Sequence, residues 1–156
     1  MSYDPRIDRW IFQSIHKHFV AQQKDWKLYI EGEIRDTNQA TEWVELRIDG
    51  PFSRQLGPTN WFARIEVNVL ISVSTHTDLY APQRISGEVA QILAMPIEIK
   101  KYGTELEDTQ EHFSCLKLEQ GARDVGIVTS NFGQANPKIP ITQMTVEAHY
   151  SLEFSS

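Results

Sequence analysis

From Trp61 to Ser74 the chain reads WFARIEVNVLISVS, and every odd position in it is apolar as far as Val73: Trp61, Ala63, Ile65, Val67, Val69, Ile71 and Val73. The even positions, Phe62, Arg64, Glu66, Asn68, Leu70, Ser72 and Ser74, are mostly polar. Successive side chains of a β-strand point to opposite faces, so this pattern predicts one unbroken strand with a dry face and a mostly wet one. Strands in globular domains usually run about 5–6 residues. A strand roughly twice that length is expected to outgrow the edge of a small sheet. Its far end then leans on something else, and we expect that to be another copy of the chain.

The chain has 156 residues. That length suits one domain, spanning 1–156, which buries roughly two-thirds of the surface its unfolded chain exposes. Hydrophobic residues make up 40% and charged residues 23%, which excludes wholesale disorder. A net charge of −6 argues against a nucleic-acid reader, whose phosphate-gripping face would be basic. The same charge suits a surface that nucleic acid slides past. The one cysteine, Cys115, excludes a disulfide within the chain and any Cys-based metal site; it reads as a small apolar residue in a strand. The start, MSYDPRIDRW, has no basic segment followed by an apolar run, so it does not read as a secretory signal. No apolar stretch approaches the ~20 residues that cross a bilayer. The expectation is a soluble protein made in a cytoplasm.

The remaining segments arrange themselves around the long strand. Asp4-Pro5 is expected to open a helix carrying Ile7, Ile11, Ile15 and Phe19 on one stripe and ending near Gln22 or Gln23. His16 and His18, two apart, would lie on nearly opposite sides of it, facing solvent. Trp26, Leu28 and Ile30 mark a first strand that closes at Gly32, and polar residues from Asp36 to Thr41 a turn. Trp43 to Ile48 marks a second strand, stopped by Asp49-Gly50-Pro51. Gly50 to Asn60 reads as a long loop, and the strand from Trp61 returns antiparallel to the second. His76-Thr77-Asp78 is polar and offers a cap for a second helix, with Ile85, Val89, Ile92 and Leu93 on its stripe, Pro82 in its first turn and Pro96 ending it at Met95. Gly87 within that helix suggests a close packing contact. A short strand over Ile97 to Tyr102, an acidic loop over Gly103 to His112 and a strand over Phe113 to Leu118 follow. Glu119 to Lys138 reads either as a hairpin with a bulge around Asp124 to Val128 or as a long mobile loop. A second alternation, with Met144, Val146, Ala148, Tyr150, Leu152 and Phe154 on one face, closes the chain, and Pro140 confines its start to a sheet edge or a pre-strand turn. The fold class these elements define is α+β: a mostly antiparallel sheet with long strands and two helices packed on one face.

Sequence motifs of catalysis are missing. No glycine lies between Ser74 and Pro82, where a phosphate loop would need a cluster, and no nucleophile elbow is present. The five histidines have no ligand spacing, and the acidic loop lacks the glycine-containing spacing of a calcium loop. Glu66 and Glu147 could face each other as an acid/base pair, yet their alternation with apolar residues fits a solvated sheet face better. We therefore expect no enzyme, no metal and no cofactor. Trp10, Trp26, Trp43 and Trp61 are expected to fill the core between helix and sheet, with one or two as interface anchors the alternative. Phe52, Leu56, Ile127 and Phe132 fall in segments that should be wet, and Arg54 accompanies the first two. These five are the candidate contact residues for a neighbouring subunit or partner.

The long strand shaped W-x-x-x-I-x-V-x-V (Trp61 to Val73), the helix Leu79 to Leu93 that ends at a proline, and the alternating segment Gln143 to Phe154 together resemble the tail terminator (tail-completion) proteins of long-tailed bacteriophages of the lambda kind. The resemblance lies in pattern and order, covers most of the chain from Trp43 onward, and leaves Glu119 to Lys138 without a counterpart. It implies a ring, typically a hexamer, that caps the head-proximal end of the tail tube, stops addition of tube subunits and presents a surface to the head–tail connector. The partners it implies are further copies of the chain, the major tail tube protein and the connector, with DNA only as passing cargo and no membrane. The place it implies is the virion, after assembly in the host cytoplasm. Two other readings stand beside it: a different neck or head–tail joining protein, and a small ligand-binding or isomerase-type α+β domain with a polar group in an apolar pocket.

Overall fold

The computed structural model describes residues 3–31, 33, 41–74, 80–119, 126–136 and 139–155, with side chains at all of these except 131–136, 139 and 140. The order of elements is α1 (Ile7–Gln22), β1 (Lys27–Ile30), β2 (Glu42–Gln55), β3 (Asn60–Val73), α2 (Ala81–Ala94), β4 (Ile97–Lys100), β5 (His112–Leu118), β6 (Ile127–Asn136) and β7 (Ile139–Ser155). The fold is mixed α+β. Seven strands form a sheet in the order β1-β2-β3-β7-β5-β4, with β6 also paired to β7. All pairings are antiparallel except β1 with β2, which is parallel, Lys27 opposite Trp43 and Ile30 opposite Leu46.

The long strand is central, and this overturns the expectation that its far end lacks a partner. β3 pairs with β2 from Glu42–Val73 to Gln55–Trp61, and with β7 from Asn60–Ser155 to Val73–Thr142. Its length is met by two strands of the same chain that are at least as long. No second copy is needed to complete it. The outer edge of β7 is shared between β6, from Ile127 opposite Ala148, and β5, at Lys117 and Leu118 opposite Ser151 and Tyr150.

The alternation places the core as expected. Ala63, Ile65, Val67, Val69, Ile71 and Val73 are buried, as are Met144, Val146, Ala148, Tyr150, Leu152 and Phe154 beside them. They form one hydrophobic cluster with Ile7, Ile11, Ile15 and Phe19 of α1 and Ile85, Val89, Ile92 and Leu93 of α2. Few polar links cross that cluster, and each satisfies a specific group. Ser14 Oγ accepts from the Lys100 amide at 3.0 Å, joining α1 to β4. The Tyr150 hydroxyl donates to the Leu93 carbonyl near the end of α2. Burial around that phenol pushes its pKa far above the usual tyrosine range. Trp10 and Trp26 are buried in this cluster and Trp61 is half-buried against it, in keeping with a core role, whereas Trp43 is buried on the opposite face of β2, facing Ser72 and outside the cluster.

Other local expectations are corrected. The regular helix begins at Ile7, after Arg6 as its N-cap residue, yet Asp4 caps a free amide as expected, its Oδ1 accepting from the Arg6 amide at 3.0 Å. His18 does not face solvent. Its Nε2 donates to the Ile92 carbonyl at 2.9 Å and ties α1 to the last turn of α2, while His16 is half-buried. Gly32, the turn residues 36–40, and His76, Thr77 and Asp78 lie outside the described residues; α2 begins after Tyr80, with proline in its first turn, and stops at Met95. Cys115 is on β5 but exposed. The two alternatives for Glu119 to Lys138 resolve into a hairpin, with β6 antiparallel to β7 and register shifts between Asn131 and Asn136; residues 120–125, of which 124 and 125 belong to the expected bulge, and 137–138 are outside the described ones.

Gly87 makes no close contact: a Cβ built there meets no atom within 4 Å. Its position inside α2 is therefore a pure backbone-entropy cost. Gly87→Ala is expected to stabilise the protein by about 0.4–1 kcal/mol, read as a higher urea midpoint at unchanged slope.

Candidate interaction surface

The expected long loop from Gly50 to Asn60 is instead the end of a β-hairpin, because β2 continues to Gln55. What lets it continue is a bulge. Asp49 lies opposite Glu66 and Phe52 opposite Arg64, so β2 spends three steps where β3 spends two. Gly50 carries the strain of that extra residue at φ +106°, a conformation that side-chain-bearing residues rarely adopt. The consequence is a change of phase. Before the bulge Val44, Leu46 and Ile48 share the dry face with Ile71, Val69 and Val67; after it Ser53 and Gln55 take that face, opposite Ala63 and Trp61. Phe52 and Arg54 are thereby turned outward.

Outside, the hairpin alternates aromatic and cationic groups. Phe52 is opposite Arg64, and Arg54 is opposite Phe62. The Arg54 guanidinium lies 5.0 Å from the Phe62 ring centroid, a cation–π contact. Arg64 donates through Nε and Nη2 to both carboxylate oxygens of Glu119, at 2.7 Å each. Two parallel charge-assisted bonds hold its planar group in one orientation. With Ser53 these residues line an open groove of about 600 Å³. Phe52 is 59% exposed along it. Leu56, 51% exposed, stands at the tip, where the Leu56 and Gly57 amides both donate to the Asn60 carbonyl.

The underside is pinned. Tyr3 meets Trp61 and Phe154 edge-to-face, at 5.3 and 6.0 Å between ring centroids, and its hydroxyl lies 3.3 Å from Ser53 Oγ. The hairpin thus presents its outer groups from a packed base. Replacing Gly50 attacks this device directly, since a Cβ would come within 2.9 Å of the Arg64 carbonyl oxygen. Gly50→Ala is expected to cost roughly 1–3 kcal/mol. The check is a urea titration, and an unchanged midpoint would mean that the bulge is not held by this glycine.

Of the five candidate contact residues, the structure brings Phe52 and Arg54 together on one groove and sets Leu56 at its tip. Ile127 is not in a wet loop: it is half-buried on β6 opposite Ala148, packed against the core. Phe132 lies on β6, and its side chain is outside those described. Phe62, Arg64 and Glu119 complete the groove without having been singled out. The signal for Phe62 was its place as an aromatic residue among the polar positions of the long alternation.

The rest of the outer face is polar. Opposite Glu66 stands His149 rather than Glu147, whose partner is Asn68. His149 reaches toward both carboxylates, with Nδ1 3.7 Å from Glu66 and Nε2 3.6 Å from Glu147. The two carboxylates are therefore separated by an imidazole on a polar sheet face and do not face each other as an acid/base pair. Arg47 lies between Glu31 and Asp49, at 3.6 and 3.4 Å, beside a hollow of about 500 Å³ that also takes in Glu45, Asn68 and Thr145. Exposed pairs of this kind contribute little stability, about 0–1 kcal/mol each. Among the described residues, no group of three or more His, Cys, Asp or Glu side chains is placed to hold a metal ion, and no helix is long and apolar enough to cross a membrane.

Together the fold and this surface define a class: a mixed α+β protein on a mostly antiparallel sheet, with an aromatic and cationic groove at one hairpin. No family profile and no curated protein matches the sequence. The fold is shared with solved structures; in one of them the TM-score is 0.54 at 7% identity over 93% of this chain and 94% of the other. At that identity the likeness concerns the fold alone.

Proposed function

We propose that the chain is a structural part of a long bacteriophage tail, a terminator that closes into a ring at the head-proximal end of the tail tube, stops tube growth and offers a surface for head joining. In this reading both helices pack on the dry face, which leaves the outer face and the hairpin free for partners. The protein then carries no catalytic step and needs no cofactor; it contacts copies of itself, the major tube protein and the head–tail connector, while DNA only passes. Its place is the virion. The observation that carries the reading is the hairpin: Phe52, turned outward by the register shift at the bulge, and Leu56 at the tip both stand exposed to solvent. Large apolar groups exposed together in this way mark surfaces that other proteins cover. The acidic balance of the chain suits a conduit that DNA must not stick to.

The test has two parts. A ring of six chains of 18.0 kDa has a mass of about 108 kDa, and light scattering should find it for the protein alone or mixed with tail-tube subunits. Added to polymerising tube subunits, the protein should also shorten the tubes seen by electron microscopy. The double variant Phe52→Ser, Leu56→Ser is expected to melt within a few degrees of the wild type, since both side chains are exposed, and to lose ring formation or tube arrest. A double variant that assembles fully would remove the hairpin from the argument.

A further inference from the structure

The β4–β5 connection carries a second exposed apolar group of a different kind. Leu106 is 99% exposed and is flanked by Glu105 and Glu107, both exposed. The turn presenting it is ordered by its own backbone: the Glu107 amide donates to the Thr104 carbonyl at 2.9 Å, the Lys101 amide to the Glu111 carbonyl at 2.9 Å, and the Gln110 amide to the Lys101 carbonyl at 3.2 Å. The result is an apolar knob between two carboxylates. Across the molecule the hairpin groove offers the complement: Phe52 and Phe62 alternate with Arg54 and Arg64, and because Glu119 pairs with Arg64 the groove keeps an excess of one positive charge.

We propose that the Glu105–Leu106–Glu107 turn of one protomer docks in the Phe52–Arg54–Phe62–Arg64 groove of a neighbouring copy. This rests on the assembly reading above and names the contact that would build the ring. Charge complementarity favours a second copy as the occupant: the turn brings two carboxylates to a groove whose Arg54 is directed at a ring rather than at an acid. Leu106 would enter between the two phenylalanines. Sheet topology favours it independently. His112, which follows the turn, lies at the same end of the sheet as Asn60 and Ser155, because β5 runs antiparallel to β7 and β7 antiparallel to β3. The knob and the groove are therefore at one end of the sheet but toward opposite edges, β4 on one side and β2 on the other. Copies set side by side with their sheets in the same sense bring one knob to the next groove. Such a contact joins two different surfaces, so it propagates from copy to copy and closes as a ring when the rotation allows.

The test uses the full chain in two variants, Leu106→Asp, which keeps the groove, and Phe52→Ser, which keeps the knob. Both changes are at exposed positions, and circular dichroism melts should overlay the wild type. Masses are measured by sedimentation equilibrium from about 1 µM to about 1 mM, a range that spans weak to moderate contacts. Wild type should rise with concentration above the monomer; each variant alone should stay at 18.0 kDa; and the equimolar mixture should reach two chains, about 36 kDa, and stop there. It stops because one good knob and one good groove make a single contact. The pair Arg54→Glu with Glu105→Arg should recover association that Arg54→Glu alone loses. A mixture that stays monomeric, or a Leu106→Asp protein that associates like the wild type, overturns the contact. So does a wild type that is monomeric throughout. None of these outcomes touches tube arrest by the wild-type chain, so the failure of this contact and the failure of the assembly reading are told apart.

Discussion

A Val67→Asp chain is expected not to fold. Val67 is fully buried at the centre of β3, with Ile48 of β2 on one side and Ala148 of β7 on the other. Each flanking strand is hydrogen-bonded to β3 there, so the backbone cannot turn the new carboxylate to water without slipping the register. A slip of one residue would send every dry position of β3 outward. The carboxylate would be buried without a partner, at a cost of several kcal/mol even after it takes up a proton. The whole stability of a domain this size is only about 5–15 kcal/mol. The measurement is far-UV and near-UV circular dichroism with a urea titration. No cooperative transition should be seen, and a variant with a wild-type midpoint would mean that the two faces of β3 are assigned the wrong way round.

Trp26→Ala should cost about 3–5 kcal/mol, the range for deleting a buried tryptophan. Trp26 is 1% exposed and stands between α1 and β1. Its Nε1 donates to Glu88 Oε2 at 2.9 Å, Glu88 also accepts from Arg84 at 3.2 Å, and Arg84 reaches Glu42 at 2.7 Å. One ring thus fills the core and orders a chain of charges that links α2 to the start of β2. The two contributions separate by substitution. Trp26→Phe keeps most of the volume but removes the indole donor, and should cost less than the alanine variant, with about 1.5–3 kcal/mol assigned to the lost hydrogen bond to the Glu88 carboxylate. A Trp26→Ala protein with a near-native urea midpoint would show that the site collapses around the deletion, and that the link to Glu88 is dispensable.

The parts of the fold that could be read in the sequence are those governed by periods. Period two over Trp61 to Val73 and Met144 to Phe154 located both long strands and their buried faces, since a strand has only two faces and water chooses between them. Period 3.6 located both helices, and prolines marked the start and stop of α2. Single residues misled where pairing decided. Asp49-Gly50-Pro51 has the composition of a turn, yet the hydrogen bonds of β3 carry β2 through it as a bulge. His18 looked like a surface residue by helical spacing, and only the approach of α2 gave its imidazole a carbonyl. Gly87 looked like a packing contact, and nothing lies against it.

The groove divides in the same way. Phe52, Arg54 and Leu56 could be picked out because apolar groups beside Gly and Pro are out of place in a presumed loop, and their exposure is as expected although they belong to a hairpin. Ile127 met the same criterion and is packed inward, because β6 pairs with β7 and aims it at Ala148's face. Arg64 and Glu119 are 55 positions apart, and no local pattern couples them.

What the sequence determined by itself, then, is which residues leave water: alternation and helical spacing state this locally, and solvent enforces it. What only the tertiary structure decided is how the long strands are matched to one another. β3 could have overhung its sheet, but β2 and β7 meet it along its whole length, because one extra residue at Gly50 lets β2 keep pairing while its side chains change face. That phase change, set by distant hydrogen bonds rather than by neighbours in the chain, is what turns Phe52 and Arg54 outward.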